Sequence, residues 1–146
     1  MKYNQNALLI LCNEKDDFST FQKNLRASGV EATCAYDEAS TLCCLSEKNV
    51  DFILIDISDT HVDEDVALAM RLYQLLNQGL DIPRYPILAI TTPENEPSCA
   101  AFLAQGIDGL ILKPFNEKCA ASAISSLNRA LEGRRKILGG SNNYAN

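Results

Sequence analysis

The sequence has no tryptophan, a single histidine (His61) and no pair of cysteines at CxxC spacing. Its six cysteines stand at 12, 34, 43, 44, 99 and 119. Zinc-ligand spacing and a thioredoxin-type dithiol are therefore both absent. Several of these cysteines fall among apolar residues, where a free thiol behaves as a small hydrophobe. A reduced, cytoplasmic protein is the expectation. Basic residues are also few: 13 Lys and Arg stand against 19 Asp and Glu, a net charge of −6. A general nucleic-acid or anionic-membrane surface needs basic patches, so direct nucleic-acid and membrane binding are not expected. No apolar run approaches the roughly 20 residues of a membrane span. Residues 1–6 are polar and lack the apolar core of a signal peptide.

What is present is an alternation of short apolar runs with helical patterns, in a chain of 146 residues that fits one domain. Ala7-Leu-Leu-Ile-Leu11 is the first run. Phe18, Phe21 and Leu25 then recur at helical spacing, and Gly29 closes that helix. Residues 31–35 read as a second strand. Asp37 is placed to cap a short helix in which Leu42 and Leu45 face inward. Phe52-Ile-Leu-Ile55 is fully apolar and ends on Asp56, as suits a strand buried on both faces of a parallel sheet. Val66, Met70, Tyr73 and Leu76 mark a third helix, and Ile87-Leu-Ala-Ile90 is a fourth buried run, ending at Thr91. A short helix is expected over about residues 96–105. Leu110-Ile-Leu112 is the fifth strand, and Ala120, Ile124, Leu127 and Leu131 stripe the last helix.

Five strands alternating with five helices imply right-handed βαβ crossovers and a parallel sheet covered on both sides. In such sheets the working residues collect at the carboxyl ends of the strands. Those positions are Asn13 and Glu14, Asp56, Thr91 and Lys113. An amide, two acids, a hydroxyl and an amine would share one crevice. No phosphate-binding glycine loop follows the first strand, where the acids between Asn13 and Asp17 would repel anions; this argues against a small nucleotide-binding enzyme. His61, alone in the loop after Asp56, is read as solvated. From Gly133 the composition changes to Arg134-Arg135-Lys136 and then Gly139-Gly-Ser-Asn-Asn143, so residues 133–146 are expected to be a disordered tail or the start of a linker.

Three pieces in order resemble the response-regulator receiver domain family of two-component signalling: Val50-Asp-Phe-Ile-Leu-Ile-Asp56, Ile87-Leu-Ala-Ile-Thr-Thr92 and Gly106-Ile-Asp-Gly-Leu-Ile-Leu-Lys-Pro-Phe115. The resemblance runs from about residue 7 to 131. It implies an α/β, flavodoxin-like, doubly wound five-stranded parallel sheet of order 2-1-3-4-5 with five helices, the domain occupying residues 1–132. It implies that Asp56 accepts a phosphoryl group from a sensor histidine kinase or phosphotransfer protein, with Lys113 pairing with the acyl phosphate and Thr91 bonding its oxygen. It implies a magnesium ion held by Asp56, the acidic pair after the first strand and the Ser58 carbonyl. It also implies a cis Lys113–Pro114 bond, a downstream effector protein as partner, and a homodimer surface on the fourth helix, fifth strand and fifth helix. No enzymatic turnover is expected beyond self-phosphorylation from a small donor and slow hydrolysis.

The departures from the family pattern are specific. The acidic pair falls on Cys12 and Asn13 if Gly29 sets the register, or on Asn13 and Glu14 if Phe18, Phe21 and Leu25 set it. The second is favoured, since magnesium takes hard oxygen ligands that Cys12 does not supply. Leu110 stands at a frequent aromatic position, Thr92 at a small one and Glu64 at a glycine. These make an atypical member, for which the alternative is a phosphorylation-independent interaction module that keeps the fold.

Overall fold

The computed structural model of the protein describes residues 5–10, 15–57, 62–77, 85–114 and 116–145. Five strands form one sheet: β1 (Gln5–Ile10), β2 (Val30–Ala35), β3 (Phe52–Asp56), β4 (Ile87–Thr91) and β5 (Gly109–Leu112). Their order is β2-β1-β3-β4-β5 and every pairing is parallel. The helices between them are α1 (Lys15–Arg26), α2 (Glu38–Glu47), α3 (Val62–Asn77), α4 (Ala100–Ala104) and α5 (Glu117–Ala145). Both the doubly wound topology and the strand order agree with expectation.

Side-chain alternation explains why the central runs are apolar throughout. On β3 and β4, Phe52, Leu54, Leu88 and Ile90 enter one core with Phe21, Leu25, Ala120, Ile124 and Leu127 of α1 and α5. Ile53, Ile55, Ile87 and Ala89 enter the other, with Ala69 and Leu72 of α3 and Phe102 of α4. A strand with a core on each face has no polar side to show. Leu25 and Phe102 are both wholly buried, and each such side chain contributes about 1.5–3 kcal/mol relative to exposure.

Local signals set most boundaries. Gly29 ends α1 with φ +80, in the left-handed region where a side chain is strained, and its N–H reaches the Arg26 carbonyl. Asp37 caps α2 through a reciprocal pair: its carboxylate accepts from the Ser40 N–H at 2.8 Å, and Ser40 Oγ accepts from the Asp37 N–H at 3.1 Å.

Three expectations need correction. Leu42 is exposed rather than inward; α2 is rotated so that Thr41 is buried and Cys44 and Leu45 are half-buried, with Thr41 Oγ1 donating to the Asp37 carbonyl at 2.7 Å. The fourth helix is split into a 3₁₀ helix over Pro93–Cys99 followed by the five-residue α4. Pro97 has no N–H to donate into an α-helical ladder, and the tighter turn accommodates it. Finally, α5 runs to Ala145, through residues expected to be a disordered tail or the start of a linker. Once a helix is nucleated, each added residue gains a hydrogen bond, so the backbone can propagate through a weak composition.

Candidate functional site

Asp56 is the last residue of β3, and the parallel register sets it beside Ile90, with the Ile57 N–H donating to the Ile90 carbonyl at 2.8 Å. Thr91 is the next residue along β4. Its own carbonyl accepts the Lys113 N–H at 2.8 Å, which carries Lys113 to the same end of the sheet. Three strands thus deliver an acid, a hydroxyl and an amine to one edge, as the topology of open parallel sheets favours.

The acid and the amine meet. Lys113 Nζ lies 2.9 Å from Asp56 Oδ1. The approach has contact distance without the alignment of a regular hydrogen bond, so it is best described as an ion pair. Asp56 is 5% exposed, and its partner's side chain 24%. A carboxylate buried to that degree needs compensating charge, and Lys113 supplies it. The Lys113–Pro114 peptide is cis, as expected.

Thr91 is wholly buried. Its hydroxyl makes no hydrogen bond among the described residues, and Cys99, which closes the 3₁₀ helix, is buried in the core on that side of the sheet. Burial pushes the Cys99 thiol above its ordinary range, and the nearby Glu96 carboxylate adds to this. The Thr91 hydroxyl works in the opposite direction. Thr92 is half-buried and stands at the N-cap of the 3₁₀ helix without a side-chain capping bond. Leu110 is half-buried against the α3–α4 core. Glu64 is exposed in the first turn of α3, between Asp63 and Asp65.

Asn13, Glu14, Ser58 and His61 lie outside the described residues, as does Cys12. Among the described residues no cluster of three or more His, Cys, Asp or Glu could hold a metal ion. Asp56 is the one proposed ligand that is described, and it is a hard oxygen donor of the kind magnesium takes.

No family model matches the chain, and no curated protein matches it. Solved structures do. The chemotaxis response regulator CheY4 of Vibrio cholerae is 20% identical, covering 84% of this chain and 98% of its own, with a TM-score of 0.63. A CheY-like response regulator receiver domain from Methylobacillus flagellatus is 19% identical over 84% of this chain and 98% of its own, TM-score 0.64. Full-length FixJ from B. japonicum is 18% identical, covering 92% of this chain and 63% of its own, TM-score 0.73. The chain therefore has the fold of response-regulator receiver domains. No helix among the described residues is long and apolar enough to cross a membrane.

Proposed function

We propose that this chain is a receiver domain that takes a phosphoryl group on Asp56 and thereby switches a protein-interaction surface. The observation that carries the reading is the Asp56–Lys113 pair at 2.9 Å, at the strand edge that also holds Thr91. In the proposed step an Asp56 carboxylate oxygen attacks the donor's phosphorus. The new O–P bond forms as the bond to the donor's leaving atom breaks, and the leaving group takes the electron pair. Lys113 stabilises the added negative charge, and Thr91 donates its hydroxyl proton to a phosphoryl oxygen in a hydrogen bond. Magnesium, when bound by Asp56, Asn13, Glu14 and the Ser58 carbonyl, offsets carboxylate and phosphate charge.

The donor would be the phosphohistidine of a sensor kinase or phosphotransfer protein, and the reader a downstream effector. The same neighbours that share the fold include full-length regulators such as FixJ, which supports a role in such a relay. The chain turns over no external substrate in this reading, and it works in the cytoplasm.

Intact mass after incubation with acetyl phosphate and magnesium tests the proposal. A phosphoryl-sized increment that is lost in Asp56→Asn is expected. If neither acetyl phosphate nor a panel of phosphorylated histidine donors adds mass, and magnesium leaves the amide spectrum unchanged, the chain is a phosphorylation-independent interaction module instead. Leu110 and Thr92, which depart from the family at the switch, are what favours that second reading.

A further inference from the structure

Lys113 leaves the sheet between two points of attachment. On one side its backbone N–H donates to the Thr91 carbonyl at 2.8 Å, just past the last paired residues of β4 and β5. On the other, the carbonyl of the next residue, Pro114, accepts the Cys119 thiol at 3.6 Å. Cys119 is in turn placed by Asn116, the residue before α5. The Asn116 side-chain oxygen accepts the Cys119 N–H at 2.9 Å, and its backbone carbonyl accepts the Ala120 N–H at 2.8 Å. These are the bonds of an N-cap residue to the first turn of its helix. Ala120 and Ala123 lock that turn into the core shared with Phe21 and Leu25 of α1. The core thus reaches the Lys113–Pro114 segment through Asn116 and Cys119.

We propose that Asn116 and Cys119 are positioning residues for Lys113. The cap of α5 fixes the Pro114 carbonyl, and with it the backbone from which the amine reaches Asp56 Oδ1 at 2.9 Å. The expected rate effects rest on the function proposed above; the placement of the amine does not. A lysine side chain has many rotamers to lose, so a held Cα raises the share of them that meets the carboxylate. Reacting groups placed in advance spare that ordering during the phosphoryl step. The thiol is a weak donor, and the Asn116 bond compensates by fixing where it points. Neither residue touches the phosphoryl group. Asn116 is exposed and Cys119 half-buried, so truncating either removes little core packing.

Asn116→Ala and Cys119→Ala remove the two contacts, while Asn116→Ser and Cys119→Ser keep a capping oxygen and a donor. Carbon-13 relaxation of the Lys113 ε-methylene in the unphosphorylated protein reports how firmly the amine is held. Its order parameter is expected to fall in both alanine variants and to return towards the parent value in both serine variants. Rates of phosphoryl uptake from acetyl phosphate with magnesium should fall about three- to tenfold in each alanine variant, the span of one net hydrogen bond. In a Lys113→Met background the parent and variant rates should coincide. An unchanged order parameter in both alanine variants, or rate differences that survive Lys113→Met, would overturn the proposal. If the parent takes up no phosphoryl group at all, the proposed function falls, while the order parameter still decides whether the cap of α5 positions Lys113.

Discussion

Lys113 Nζ stands 2.9 Å from Asp56 Oδ1, and the carboxylate is the more deeply buried of the two. Removing the amine leaves a charge in the sheet edge with its main compensation gone. Lys113→Met is therefore expected to cost about 2 kcal/mol, below the 3–5 kcal/mol of a fully buried pair because the lysine is part-exposed. Asp56→Asn combined with Lys113→Met should recover most of that loss. Urea unfolding of the two variants checks it; a double variant no more stable than Lys113→Met alone would show that the ion pair is not what the lysine contributes.

The proposed magnesium site is testable through its unequal candidates. Glu14→Gln removes one charge from an oxygen ligand set and is expected to weaken magnesium binding about tenfold, a screened fraction of the attraction between close unit charges. Cys12→Ala should leave the affinity unchanged. Magnesium titration followed by amide chemical shifts distinguishes the two registers after β1. If Cys12→Ala weakens binding and Glu14→Gln does not, the pair is Cys12 and Asn13.

Much of this was legible because the chemistry sits where periodicity changes. Phe52-Ile-Leu-Ile55 can only be a strand buried on both faces, so Asp56 had to fall at its end. Lys113 and Thr91 followed from the same reading of β5 and β4. Leu42 was misjudged because α2 is short and its inward position is taken by Thr41, a polar residue whose hydroxyl is satisfied within its own helix turn. Burial of that kind leaves no apolar mark. The 3₁₀ helix was missed because Pro97 interrupts a pattern that otherwise continues as a helix.

Two glycines should respond differently to alanine. Gly29 has φ +80 but open space where a Cβ would stand, whereas at Gly106, φ +116, the added carbon would meet Tyr73 Oη at 2.9 Å. Gly29→Ala should cost about 1–2 kcal/mol, the left-handed backbone term alone. Gly106→Ala should cost more, about 2–4 kcal/mol, since steric overlap adds to strain. In a Tyr73→Phe background the Gly106→Ala cost should shrink towards the backbone term. Chemical denaturation of the four variants measures it, and equal costs at the two glycines would rule out the Tyr73 contact as the cause.

The cap of α2 gives a pH signature. The Ser40 backbone N–H bonds the Asp37 carboxylate, and with the neighbouring Ser40 side chain it holds the Asp37 pKa below the ordinary 3.8. A carboxyl with a lower pKa folded than unfolded binds protons more readily when unfolded. Its contribution to stability is therefore complete above the unfolded value and lost as pH falls through the folded one. Asn caps a helix about as well as Asp but carries no charge. Asp37→Asn should thus be less stable than the parent at pH 7, with the gap closing as pH drops from about 5 to below 3.8. Thermal unfolding of both proteins across that range is the measurement. A gap that stays constant with pH would mean that the carboxylate's charge adds nothing to the cap, leaving the hydrogen-bond geometry shared by Asp and Asn as the whole of its effect.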